Sequence, residues 1–305
     1  MAEVTSALIK ELRERTGAGM MDCKNVLVEV AGDIDKAIDV LREKGLAKAA
    51  KKAGRIAAEG LIRINITPDN KHAGIIEVNS ETDFVAKNQD FIDFVERLSD
   101  ITLETEQSDL DAFLVKKYDD SQTVGEKVTN FVATIGENIG VRRFTHLNDP
   151  GTVYIGYLHG AGKIGVVVGL ETEASAADVT QFGRDIAMQI ASMNPLFIDE
   201  SQVDPDYVEK EKEILMQQAL NEGKPREIVE KMVVGRLKKE LKETCLLEQK
   251  FVKNGELTVA QYLSDQIKAL GKDIKVVSMI RYEVGEGIEK KEENFAEEVA
   301  KQIGN

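Results

Sequence analysis

The chain has 305 residues, of which 42% are hydrophobic and 31% charged, with a formal net charge of −14. That length suits two or three domains with real cores. The acidic balance argues against a nucleic-acid partner, which would demand a basic surface for counterion release, and no apolar run reaches the roughly 20 residues of a bilayer-spanning helix.

Residues 1–55 read as a small helical module. Val4, Leu8 and Leu12 share one helical face, and the turn Thr16-Gly17-Ala18-Gly19 breaks that helix. Asp22 is expected to cap a second helix carrying Val26, Leu27 and Val30, with Gly32 as its end. Asp33 should cap a third, with Ile34, Ala37, Ile38 and Leu41 on one face and Gly45 as its stop. Three short helices in this order are similar to a ubiquitin-associated fold, with Met20 and Met21 on the exposed first loop. Residues 46–59 look like a helical linker whose lysines form a solvated face.

The middle of the chain holds a weak repeat. Leu61 to Ile66 alternates, Gly74-Ile75-Ile76-Glu77-Val78 follows, and Phe91, Phe94, Val95 and Leu98 recur at helical spacing. Val153 to Leu158, Gly165-Val166-Val167-Val168, then Phe182, Ile186 and Ile190 repeat the order. Each copy predicts a β-hairpin with helices on one face. The expected fold class is therefore α+β, with a core N-subdomain over 56–145 and a core C-subdomain over 146–285. Inside the second copy, 206–242 predicts two helices about a reversal at Glu222-Gly223-Lys224-Pro225, a hairpin about 25 Å long. Ile274 to Tyr282 alternates like a returning strand. A C-terminal module over 286–305 carries an amphipathic helix with Phe295, Val299 and Ile303.

Conventional catalytic patterns fail on inspection. Gly160-Ala161-Gly162-Lys163-Ile164-Gly165 fits GxGxxG, and Asp185 lies at a tempting distance beyond it. A dinucleotide site, however, needs strand, glycine turn and then helix. Here the glycines join two strand patterns and predict a hairpin turn. The same segment is no P-loop, since Tyr157 stands where the first glycine belongs and Ile164 follows the lysine. His72, His146 and His159 lack metal-ligand spacing, and Cys23 and Cys245 are far apart. No catalytic residue, cofactor or metal is expected. The soluble-looking N-terminus and the cysteine usage are those of a cytoplasmic protein.

The most informative segment is Ser80-Glu81-Thr82-Asp83-Phe84-Val85-Ala86-Lys87-Asn88, between a strand pattern and a helix pattern, where loops present side chains aimed by a scaffold. Phe84 has two readings: a core residue folded under its helix, or an exposed aromatic anchor for a partner. Together with Leu12-Arg13-Glu14-Arg15-Thr16-Gly17-Ala18-Gly19-Met20-Met21-Asp22-Cys23-Lys24, it resembles the bacterial elongation factor Ts family. Further matches are Lys51-Lys52-Ala53-Gly54, Ile135-Gly136-Glu137-Asn138-Ile139, Gly223-Lys224-Pro225 and Arg281-Tyr282-Glu283-Val284-Gly285-Glu286-Gly287-Ile288, in the family's order along nearly the whole chain.

The resemblance implies a guanine-nucleotide exchange factor, not an enzyme with covalent chemistry, whose partner is elongation factor Tu. It implies that Thr82, Asp83, Phe84 and Val85 disturb the partner's Mg²⁺ and phosphate site. It also implies that Met20, Met21 and Phe295 make further contacts, with His159, at the start of the glycine turn, either another contact or a structural hydrogen-bonding residue, and that the hairpin or core can support a homodimer or two-by-two complex. Two competing classes are a nucleotide-binding enzyme built on the Gly160 turn and a ubiquitin-type adaptor built on Met20 and Met21.

Overall fold

The computed structural model describes residues 4–105, 108–223 and 225–289. They form two compact units, one from the described parts of 1–63, 74–146 and 283–305 and one from 64–73 and 147–282. The fold is α+β: among the described residues, helices pack with three small sheets.

The first unit begins with α1 (Ser6–Thr16), α2 (Met20–Glu29) and α3 (Ile34–Lys52). Thr5 caps α1 by accepting from Leu8 N–H at 3.3 Å, and Asp33 caps α3 by accepting from Lys36 N–H at 3.1 Å. Leu12, Cys23, Val26, Leu27 and Ala37 form their common core. Two local expectations need correction. Helix α2 starts at Met20 behind an extended Gly19, so Asp22 lies inside its first turn instead of capping it. Its carboxylate still favours that helix end and pairs with Lys48 at 2.9 Å. Helix α3 does not stop at Gly45. Gly45 is buried inside it, its Cα facing Ala133 of a later helix at ordinary contact distance, and the helix continues through the lysines.

The same unit contains β1 (Glu59–Ile66), β2 (Ala73–Ser80), α4 (Asp83–Ala86), α5 (Gln89–Thr102), α6 (Leu110–Leu114), α7 (Val124–Ile135) and β3 (Gly140–Leu147). Its sheet has the order β1-β2-β3, with the tip of the β1–β2 hairpin, 64–73, assigned to the second unit. Helix α5 buries Phe91, Phe94, Val95 and Leu98, the residues one helical face requires. Phe94 stacks on Phe131 of α7 with centroids 4.5 Å apart. Central strand β2 is buried at every residue, including Glu77. That carboxylate accepts from Arg143 Nε at 2.6 Å, Arg142 at 3.0 Å and Gly285 N–H at 2.8 Å. Burial pushes its pKa up, but the Gly285 N–H and the Arg142 hydrogen bond, with Asn79 and Arg143, outweigh burial and hold it below the usual carboxylate value.

The second unit contains β4 (Thr152–His159), β5 (Ile164–Thr172), α8 (Ala176–Met193), α9 (Pro205–Asn221), α10 (Arg226–Thr244), β6 (Lys250–Phe251), β7 (Asn254–Thr258), α11 (Val259–Leu270) and β8 (Ile274–Glu283). Its sheets have the orders β4-β5-β8 and β6-β7. Strands β4 and β5 pair antiparallel from Thr152↔Glu171 to His159↔Ile164. Gly160, Ala161 and Gly162 all have positive φ in the connecting turn, so the GxGxxG match is a hairpin turn with no helix following it. Asp185 is no ribose ligand. It is buried on α8, where it accepts from Lys253 Nζ at 2.6 Å and from Gln181 and Tyr262 at 2.8 Å. Helices α9 and α10 make the expected hairpin, closed by Ala219, Val229 and Val233. Among the described residues no helix is long and apolar enough to cross a membrane.

Candidate partner-binding site

Strand β2 ends at Ser80, and within three residues the chain enters the single turn of α4. Thr82 is the N-cap of α4, its hydroxyl accepting from Val85 N–H at 3.4 Å. Asn88 accepts from Asp90 N–H at 2.8 Å and starts α5, so two helix starts follow one another with Lys87 between them. Val85 and Ala86, 8% and 3% exposed, belong to the first unit's core. They anchor the turn from below.

Phe84 takes the opposite direction and is 82% exposed. A large aromatic side chain left mostly in water gains little for the fold by burial, and its backbone is held at both ends. The reading of Phe84 as a core residue is therefore overturned by the packing. Asp83 is half-buried beside it and accepts from Lys87 Nζ at 2.6 Å. The surface thus offers one apolar ring flanked by a carboxylate whose charge an exposed lysine partly offsets.

The other expected residues are scattered. Thr82 turns inward, donating its hydroxyl to Glu137 Oε1 at 2.7 Å while its N–H reaches Glu137 Oε2 at 3.0 Å. Met20 and Met21 are exposed as expected, 59% and 64%, but lie in the first turn of α2 and not on the loop before it, because the helix starts directly behind Gly19; neither closes the three-helix core. His159 is exposed at the end of β4, with Nδ1 3.0 Å from the Tyr157 hydroxyl. Phe295 and the helix expected around it lie outside the described residues. His146 Nδ1 lies 2.7 Å from the Thr105 carbonyl. Both cysteines are buried, and burial raises both thiol pKa values.

The sequence marks Ile135 to Ile139 without assigning it a task. In the fold Gly136 closes α7 in the left-handed region, φ 88°, donating to the Val132 carbonyl at 3.0 Å. The next two residues then face the Phe84 loop. Glu137 takes Thr82, and Asn138 N–H donates to Glu81 Oε1 at 2.5 Å. Asn138 Nδ2 also holds the Arg55 carbonyl at 2.7 Å, and Lys52 Nζ donates to the Gly136 carbonyl. The signal in the sequence is a Gly-Glu-Asn run at a helix end. Its partners lie 55 and 57 residues away and could not be read from spacing.

The profile of the family described as Elongation factor TS matches residues 81–286. A protein named Elongation factor Ts from Clostridioides difficile (strain 630) is 57% identical over 303 residues, covering 99% of this chain and 100% of that relative. Proteins of the same name from Clostridium botulinum (strain Eklund 17B / Type B) and Clostridium kluyveri (strain NBRC 12016) are 51% and 52% identical, covering 99% and 98% of this chain and 99% of each relative. The exposed Phe84 turn and everything after it up to Glu286 fall within the matched span, the identity to these relatives runs through the three-helix region and the β1–β2 hairpin as well, and the chain belongs to the elongation factor Ts family of translation elongation factors.

Proposed function

We propose that this chain promotes release of GDP from elongation factor Tu by binding it and displacing the elements that hold Mg²⁺ and phosphate. The observation that carries the reading is an aromatic ring kept in solvent on a turn fastened on every other side. Phe84 supplies bulk and Asp83 supplies charge, and both disturb a neighbouring metal site. No bond in the nucleotide is made or broken. Met20 and Met21, unbranched and adaptable, give a second contact, and His159 a third. The hairpin carries exposed Ile228 and Val234, which offer a surface for the two-by-two assembly expected from the sequence.

The thermodynamics is linkage. A factor that binds the nucleotide-free GTPase more tightly than the GDP-bound form must weaken GDP binding by the same ratio. Titrating the chain into elongation factor Tu with and without bound GDP tests this. Tighter binding to the nucleotide-free form is expected, and equal affinities would refute the mechanism.

A further inference from the structure

We infer that Glu137 is a positioning residue for the exchange step, acting through Thr82 to hold Phe84 where a partner meets it. The inference rests on the reading of Phe84 given above. Phe84 itself has little packing to fix it. What fixes it is the backbone of a four-residue helix, and so short a helix has too few internal bonds to stand alone. Its side-chain cap is Thr82.

Glu137 meets both donors of that cap residue at once. One carboxylate oxygen takes the Thr82 hydroxyl at 2.7 Å and the other takes its N–H at 3.0 Å. A two-point, charge-assisted contact fixes orientation as well as distance. The hydroxyl proton is thereby committed to Glu137, leaving the oxygen's lone pairs toward Val85 N–H. The neighbouring residues repeat the grip, Asn138 N–H holding Glu81, and within the loop itself Ser80 Oγ donates to the Thr82 carbonyl at 3.0 Å. Successive residues of the turn after α7 thus grip successive residues before Phe84. Neither Glu137 nor Thr82 needs to touch the partner. A backbone turn already held in place does not have to be ordered on contact, so the loss from removing Glu137 falls on the step Phe84 performs.

The test is a cycle on the full chain with Glu137→Ala, Phe84→Ala and the double variant, reading GDP release from elongation factor Tu across factor concentrations. Glu137→Ala should lower the maximal rate on the order of tenfold with little change in the half-saturating concentration. Beside Phe84→Ala it should add less than about twofold, because residues acting as one unit are not additive. Glu137→Gln keeps the reach and one acceptor but loses the charge and the second acceptor, and should recover only part of the loss. If Glu137→Ala melts below the assay temperature, Glu137→Gln carries the same cycle with a smaller loss. A loss that persists in full beside Phe84→Ala, a rise in half-saturating concentration alone, or no loss in either variant overturns the inference while leaving the role of Phe84 standing. A Phe84→Ala factor as fast as the parent would instead sink that role, and the inference with it.

Discussion

Phe84→Ala separates a contact residue from a core residue in a single comparison of variant with parent. A core phenylalanine cut to alanine costs about 3–5 kcal/mol. Phe84 is 82% exposed, so folding covers only on the order of 40 Å² of the roughly 200 Å² a phenylalanine can bury. At about 25 cal/mol per Å² that is about 1 kcal/mol. Alanine's better helix propensity returns a few tenths. The net change should move the melting temperature by no more than about 4 °C, while the maximal rate of GDP release from elongation factor Tu falls well below the parent's. Thermal melts by circular dichroism and release of fluorescent GDP, on the same preparation, give both numbers. A variant that loses about 3 kcal/mol or more, or one that melts and exchanges like the parent, would refute the argument.

The other predictions concern the second contact and the scaffold. Replacing Met20 and Met21 by alanine should raise the half-saturating factor concentration and leave the maximal rate and the melt nearly unchanged, because both side chains are mostly exposed; a titration of exchange rate decides it. Glu77→Ala should cost about 3 kcal/mol in urea unfolding, since it strands Arg142 and Arg143 beside an empty buried site. Because the folded-state pKa of Glu77 is depressed, its stabilisation is full above the ordinary glutamate value of ~4.3 and is lost as pH falls through the folded value. Glu77→Gln should accordingly flatten the acid limb of the stability curve, and an unchanged slope below about pH 4 would count against the ion-pair account. Gly183→Ala places a Cβ 2.5 Å from Ile155 Cγ1; the overpacking, about 1–3 kcal/mol, should exceed the helix-propensity gain and lower the melting temperature.

Local pattern carried much of the fold. The alternation around Gly160 gave the β4–β5 hairpin, because a period of two with a glycine turn has few other solutions. The Phe91-Phe94-Val95-Leu98 spacing gave the buried face of α5. The reversal near Gly223 gave the α9–α10 pair. What escaped was decided between distant residues. Gly45 looks like a helix stop, yet α3 runs on to Lys52 because its far half packs against α7. Nothing in the run around Glu77 marks its carboxylate as buried; Arg142, Arg143 and Gly285 that satisfy it lie at least 65 residues away. Asp22 is a good capping residue, yet Met20 and Met21 join the helix ahead of it. At the candidate site, an aromatic between a strand and a helix drew attention to Phe84, but its direction depended on Val85 and Ala86 taking the core positions. The clamp from Glu137 joined two motifs that sequence could only mark separately.

The most direct measurement is release of labelled GDP from elongation factor Tu with and without catalytic amounts of this chain. The account predicts that sub-stoichiometric factor accelerates release, that acceleration saturates with factor concentration, and that the isolated chain retains no labelled GDP. A release rate unchanged at saturating factor would contradict it.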